Sequence, residues 1–188
     1  MRLAALLAGT LVLALSGEGG RDTSRCAVNI EYSYYAVSGS TLGEIKRSIR
    51  ANGPVDPDGK RRYARTDWKI KWSWDRSAAG SIDPGSVHVT CKARVTLPYH
   101  ERLDALSPEE RARWNEYLAI LEKHEMNHVL HVEAVAPKIS HRIAERQSRA
   151  GSVSAKTAQA IAKTVLKEIR QLDRAYDKNT RHGATEGV

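Results

Sequence analysis

The prevailing spacing of apolar residues changes close to Pro98 in this 188-residue chain. Before that proline, apolar residues recur at every second position in several short runs, and after it they recur every three or four positions over long runs. A two-residue period is typical of a half-buried strand, and a period near 3.6 residues is typical of a helix with one buried face. The sequence therefore predicts strands followed by helices, which is the element order of an α+β domain.

Three runs in the first half of the chain have the strand period. They cover residues 26–37, 68–74 and 87–97, and the third alternates without a break. Between the first two runs, Thr41 and Glu44 have the spacing of a capping box, so a short helix is predicted there. We expect the three strands to form a small, mainly antiparallel sheet.

Long helices are predicted for the second half. Residues 107–110 read Ser-Pro-Glu-Glu, which combines an N-cap serine, a proline at the first helical position and a capping glutamate. Pro137 is expected to bend the long helix that begins there, because it removes a backbone donor. A polar turn over residues 148–154 precedes a second helical run to Tyr176, and so short a turn implies two antiparallel helices. The predicted fold is a sheet packed against these helices.

The first residues have the composition of a secretory signal. Met1 and Arg2 are followed by an apolar run over residues 3–15, and small residues near Ser16 provide a cleavage site. The run is too short to cross a bilayer comfortably, so a retained signal anchor is the alternative reading. We predict a signal peptide and short linker over residues 1–20, a single domain over residues 21–188, and a secreted or periplasmic location.

Two cysteines are present, Cys26 and Cys91. In an exported protein we expect them to form a disulfide, because oxidising compartments favour thiol pairing. Two buried thiols that act as small apolar side chains are the alternative.

The net charge is +8, but lysine and arginine are spread along the chain and form no basic cluster. We therefore expect a solvated basic surface and no specific nucleic-acid binding. Attraction to an anionic envelope surface stays open, and it would weaken with added salt.

The predicted long helix contains His124-Glu125-Met126-Asn127-His128, the His-Glu-x-x-His pattern. At 3.6 residues per turn, both imidazoles lie on one face, about one turn apart, and can share a zinc ion. Glu125 is rotated by about 100° from His124, so it is better placed to take a proton from a metal-bound water than to bind the metal. We predict Zn²⁺ bound by His124 and His128, with Glu125 as the general base. Two ordinary core histidines are the alternative.

A catalytic zinc normally has three protein ligands. Equal residue counts on either side of the 148–154 turn place the motif beside residues 174–178, which makes Asp177 a candidate, with Asp173 on the same face and Glu168 weaker. His182 follows where the helix should fray, and it is the other candidate. His131 lies two turns, about 10 Å, from His124, so we assign it an indirect or solvent-facing role.

Several separated segments resemble one family. They read YYAVSGST at residues 34–41, WKIKW at 68–72, VTLP at 95–98, HEMNH at 124–128 and YDKNTRHG at 176–183. In these segments the chain resembles the DUF922 family of predicted secreted zinc-dependent proteases. The resemblance implies a signal peptide, a single domain and a metallopeptidase assignment, and it favours His182 as the third ligand, with Asp177 close by.

The predicted function is a secreted zinc-dependent hydrolase, with a metalloendopeptidase acting on a protein or peptide substrate as the first choice. The fold would then be α+β, with a zincin-like helix carrying the motif and an antiparallel C-terminal helix. One alternative is a zinc amidase acting on cell-wall peptides, and another is a non-catalytic envelope protein that holds zinc. The sequence gives no indication of cleavage preference or oligomeric state.

Overall fold

The computed structural model describes residues 26–78 and 80–188. The predicted signal peptide and linker lie outside these residues. The described chain contains three strands and four α-helices, in the order β1 (Val28–Val37), α1 (Leu42–Asn52), β2 (Arg65–Ser73), β3 (His88–His100), α2 (Pro108–Val135), α3 (Lys138–Ala150) and α4 (Ala155–Thr180). The predicted α+β class is confirmed. No helix among the described residues is long and apolar enough to span a bilayer.

The sheet is mixed, so the prediction of a mainly antiparallel sheet was wrong. Its strand order is β1-β3-β2, in which β3 is parallel to β1 and antiparallel to β2. Successive strands do run in opposite directions along the chain. Because β3 inserts between the other two, it pairs with a parallel strand on one side. β3 is the longest strand and buries Cys91, Ala93, Val95 and Leu97 on one face. This alternation of buried and exposed residues suits the central position that β3 takes in the sheet.

The helices cover one face of the sheet in two adjoining apolar clusters. In one cluster, residues of β2 and β3 pack against the end of α2 and against α3 and α4. This cluster includes Val132 of α2, Ile139 of α3 and Val165 of α4. In the other, the sheet packs against α1 and the start of α2, where Trp114 is almost fully buried. α2 runs through both clusters and therefore fixes the helical layer to the sheet.

Pro137 ends a helix instead of bending one. α2 stops at Val135, and α3 begins at Lys138 after a two-residue turn. A proline in a helix interior has no N–H to donate and its ring clashes with the preceding turn, which accounts for the break. The C-terminal half therefore contains three helices where the apolar period predicted two.

A disulfide joins Cys26 to Cys91, as expected from the sequence. Cys91 lies on β3 opposite Val28 of β1, so the bond ties the beginning of the described chain to the central strand. The bond closes a sequence separation of 65 residues.

Candidate functional site

The His-Glu-x-x-His motif lies in the middle of α2 and is buried. His124 is 4% exposed, Glu125 5% and His128 8%, although all three are polar. Buried apolar residues of the same helix precede and follow them, with Leu121 on one side and Val129 on the other. Burying three ionisable groups is costly unless each has partners, so the partners of these side chains indicate what the segment does.

Each histidine has a carboxylate at its Nδ1 atom. Nδ1 of His124 lies 2.7 Å from Oε2 of Glu186, and Nδ1 of His128 lies 3.0 Å from Oδ1 of Asp173. A carboxylate at Nδ1 holds the ring in the tautomer whose Nε2 lone pair is free, and this is the usual arrangement behind metal-binding histidines.

The two Nε2 atoms face a third carboxylate. Oδ1 of Asp177 lies 3.4 Å from Nε2 of His124 and 3.3 Å from Nε2 of His128. One ligand atom from each of these residues lies within 4.8 Å of the other two. Charge-assisted hydrogen bonds are shorter, about 2.7–2.9 Å, whereas two ligands bound at about 2.0–2.1 Å in a tetrahedral site are about 3.3 Å apart. The distances from Oδ1 of Asp177 to the two Nε2 atoms match those between two ligands of one metal ion, and two imidazoles with a carboxylate are a donor set that fits zinc.

His182 lies beside this group without joining it. Its Nδ1 atom is 3.6 Å from Oδ1 of Asp177, and its side chain is half exposed. Among the described residues, the set of mutually close ligand atoms comprises His124, His128 and Asp177 but not His182. Of the two candidates for a third ligand, the structure thus brings Asp177 to both histidines.

The other candidates from the sequence, His131, Asp173 and Glu168, lie outside the group formed by His124, His128 and Asp177. Nδ1 of His131 is 2.8 Å from Oδ1 of Asp173, so His131 contacts the carboxylate that holds His128. His128, His131 and Asp173 form a second group of close ligand atoms, but their distances are hydrogen-bond distances. Glu168 pairs with Arg142 of α3 and contributes nothing to the site.

The chain after α4 is ordered by a left-handed turn. Arg181 and His182 have φ values of 51° and 54°, and Gly183 has a φ of 84°. Glycine favours this turn because its φ lies in the left-handed region, and a Cβ atom there would also lie 2.7 Å from Cγ2 of Val188. The turn leads into a short 3₁₀ helix over Ala184–Glu186, which brings the Glu186 carboxylate to His124.

Glu125 faces the sheet. Its Oε2 atom accepts a hydrogen bond of 2.7 Å from the Thr66 hydroxyl of β2. Burial raises the pKa of the Glu125 carboxyl above its usual value, while the Thr66 hydrogen bond and the two nearby histidines lower it in part. A carboxylate with a raised pKa is a better proton acceptor than an ordinary surface glutamate.

The pKa values of the other site residues follow from their mutual charges. Burial alone would lower the pKa of His128, but the nearby carboxylates of Asp173 and Asp177 raise it to about 10. The pKa of His124 is raised in the same way by Asp177 and Glu186. Burial opposes ionisation of Asp177, yet the two imidazoles lower its pKa well below the usual range. The histidines and the carboxylates beside them therefore each favour the charged form of the other.

Two aromatic residues support the network from behind. The Tyr176 ring stacks on His124 with a centroid distance of 4.8 Å, and its hydroxyl donates to Oε1 of Glu186. The Trp68 indole N–H donates to Oδ2 of Asp173 over 2.9 Å. Both aromatic residues thus donate a hydrogen bond to a carboxylate that holds a motif histidine.

A cleft of about 970 Å³ opens beside the motif. The start of β2 and the segment before it form one wall, the end of α4 and the following turn form the other, and the motif residues lie between them. β2 is an outer strand of the sheet, and its residues Arg65, Thr66 and Asp67 line the cleft. Glu125 and Asp177 both line this cleft.

Sequence reasoning did not identify Thr66, Glu186 or Trp68 as site residues. Thr66 and Trp68 occupy alternate positions of a strand, and nothing local distinguishes them from core positions. Glu186 lies in the tail, and only the glycine at position 183 hinted at a turn that could return the chain to α2.

The chain was compared with known proteins. A family model described as "Bacterial protein of unknown function (DUF922)" matches residues 32–183. A search of the curated proteins and a search of the solved structures each returned no significant match. Because the family model covers most of the chain, the protein belongs to the DUF922 family.

Proposed function

We propose that this protein is an exported zinc-dependent hydrolase that cleaves peptide bonds. The observation that carries the proposal is the arrangement of His124, His128 and Asp177. Their ligand atoms are spaced like co-ligands of one ion, and each histidine is held at Nδ1 by a carboxylate. Three protein ligands beside an open cleft are the arrangement of a catalytic zinc, which keeps one position for water or substrate.

In this proposal, His124, His128 and Asp177 hold the zinc ion. Bound zinc would acidify a water molecule and polarise the substrate carbonyl. Glu125 would take a proton from water and pass it to the nitrogen of the leaving amine, and its burial and raised pKa support this role. Thr66 would keep the carboxylate directed at the site.

His182 has a role in the same proposal. It lines the cleft, and its Nδ1 is close to Asp177, which favours an orientation with Nε2 toward the substrate. An imidazole N–H there would stabilise the negative charge that develops on the carbonyl oxygen. The left-handed backbone of Arg181 and His182 supports a functional reading, because such conformations cost free energy in residues other than glycine.

We propose the exposed edge of β2 as the place where the substrate backbone binds. β2 pairs with β3 on one side only among the described residues, and its first residues line the cleft. An extended peptide can add to such an edge as a further strand, with main-chain hydrogen bonds supplying affinity.

The test is a pair of substitutions in the purified mature protein. Glu125→Gln should abolish hydrolysis of casein or of purified wall material and leave one zinc ion per chain, because glutamine cannot accept the proton. His124→Ala should lose both zinc and hydrolysis. Full activity of the glutamine variant would refute the mechanism. Cleavage of wall peptides without cleavage of casein would favour the amidase alternative.

A non-catalytic zinc protein is the second candidate. The observation in its favour is the 3.6 Å distance between His182 and Asp177, because a small shift of His182 could supply a fourth ligand. A closed site of four protein ligands has no position left for water. In that case His182→Ala would weaken zinc binding strongly, whereas the catalytic proposal predicts little change in zinc affinity and a large loss of kcat.

A further inference from the structure

The cleft wall formed by α4 and the turn after it carries three exposed cations. Arg174 and Lys178 are four residues apart and therefore lie on one side of α4, Arg181 follows the last residue of the helix, and all three line the cleft. None of them forms an ion pair with another residue in the described part of the chain. Asp177, the carboxylate that faces both motif histidines, lies next to Lys178 in the same wall.

The arginines of the opposite wall are bonded within the protein. Arg62 pairs with Asp56 over 2.7 Å, and Arg65 pairs with Asp67. Arg61 donates to the carbonyl oxygen of Gly53. The side of the cleft formed by α4 therefore offers positive charge to a bound molecule, whereas the arginines of the other wall already have acceptors.

Helix electrostatics account for only part of this group. A helix C-terminus favours nearby cations, which is a sufficient reason for Lys178 and Arg181 in and just after the last turn of α4. Arg174 lies a turn earlier, and like charges four residues apart repel each other on a helix surface. An anionic group bound in the cleft would relieve that repulsion.

We propose that the cleft selects peptides that carry a carboxylate on the α4 side of the cleaved bond. The carboxylate would come from an acidic side chain or from the free C-terminus of the peptide. One helical turn is about 5.4 Å and one extended residue about 3.3 Å, so the anion would lie about one or two residues from the reacting carbonyl. This inference rests on the proposed function, since it assumes that a peptide occupies the cleft.

The experiment measures binding in the Glu125→Gln background, so that no turnover is needed. Peptides bearing an uncharged dye are acetylated and amidated at their ends and differ only in Glu, Gln or Lys at one position, which is scanned along the peptide. A fourth peptide has a free C-terminal carboxylate and no acidic side chain. Fluorescence anisotropy is recorded with and without zinc, at low and high salt.

The Glu peptide should bind more tightly than the Gln peptide, and the Lys peptide most weakly. Replacing Arg174 and Lys178 together by Gln should weaken binding of the Glu peptide about threefold to tenfold and leave the Gln peptide unchanged. The matched control replaces Lys163 and Lys167 by Gln, a pair with the same spacing on the same helix that is exposed and lies outside the cleft. Tight binding of the fourth peptide alone would assign the site to a free C-terminus.

Equal effects of the two double variants would overturn the inference, because they would mean attraction to the overall positive charge. Equal affinity for the Glu and Gln peptides without tighter binding of the fourth peptide, or no binding of any peptide, would also overturn it. If wild-type zinc content and hydrolysis were intact in that case, the proposed function would stand. Absence of zinc or of hydrolysis in the wild type would instead refute the proposed function, whatever the peptides show.

Discussion

Asp173 holds His128 more directly than any other side chain does. Its Oδ1 atom lies 3.0 Å from Nδ1 of His128 and 2.8 Å from Nδ1 of His131, and its Oδ2 atom accepts from the Trp68 indole. Asp173→Asn keeps the shape of the side chain but removes its charge and one acceptor oxygen. Either the indole N–H or the two imidazoles then lose their acceptor, and the His128 ring is less firmly held.

We expect Asp173→Asn to weaken zinc binding about 10- to 100-fold, the usual effect of losing a carboxylate behind a metal-bound histidine. This corresponds to about 1.4–2.8 kcal/mol of binding free energy. Glu186→Gln should act similarly through His124, because Glu186 holds the Nδ1 atom of that ring over 2.7 Å.

Zinc affinity can be measured by competition with a chromophoric chelator near neutral pH. The control is Glu122→Gln, which removes a carboxylate from the same helix that bonds to Tyr32 and not to a histidine. The control should keep the wild-type affinity. Wild-type affinity in Asp173→Asn, or an equal loss in the control, would refute the idea that these carboxylates orient the metal ligands.

Three further predictions concern stability and pH. Replacing Cys26 and Cys91 by serine should lower the free energy of unfolding by about 4 kcal/mol in the loop-entropy model for the 65-residue separation, and urea denaturation would contradict this if the midpoint did not move. Thr66→Val removes a hydrogen bond that lowers the pKa of Glu125, so the acid limb of kcat/KM should move to higher pH, and an unmoved limb would argue against Glu125 as the base. In the metal-free protein His128 has a pKa of about 10 and is protonated below that pH, so zinc must displace a proton. Zinc affinity should therefore rise with pH through the neutral range, and calorimetry in buffers of different ionisation enthalpy should detect proton release.

Local patterns predicted the strands and helices well because the apolar residues of each element recur with the period typical of that element. The uninterrupted alternation of residues 87–97 became the central strand, and the Ser107 cap marks the start of α2. Counting residues from the turn also placed the motif beside Asp177, because antiparallel helices have the same rise per residue. These inferences need only local geometry.

Features set by the whole fold were out of reach. The parallel pairing of β1 with β3 depends on which strand takes the centre of the sheet, and no local pattern states that order. The bond from Glu186 to His124 joins residues 62 positions apart through a turn that needs left-handed backbone at Arg181 and His182. Residues other than glycine rarely adopt that conformation, so the sequence predicted a frayed end.

The central claim is that His124, His128 and Asp177 bind one ion while Glu125 stays free for chemistry. Anomalous diffraction at the zinc absorption edge, from crystals grown with zinc, tests this claim most directly. A single peak is expected at about 2.0–2.2 Å from Nε2 of both histidines and from a carboxylate oxygen of Asp177. A peak between His131 and Asp173, or no peak near the motif, would contradict the account.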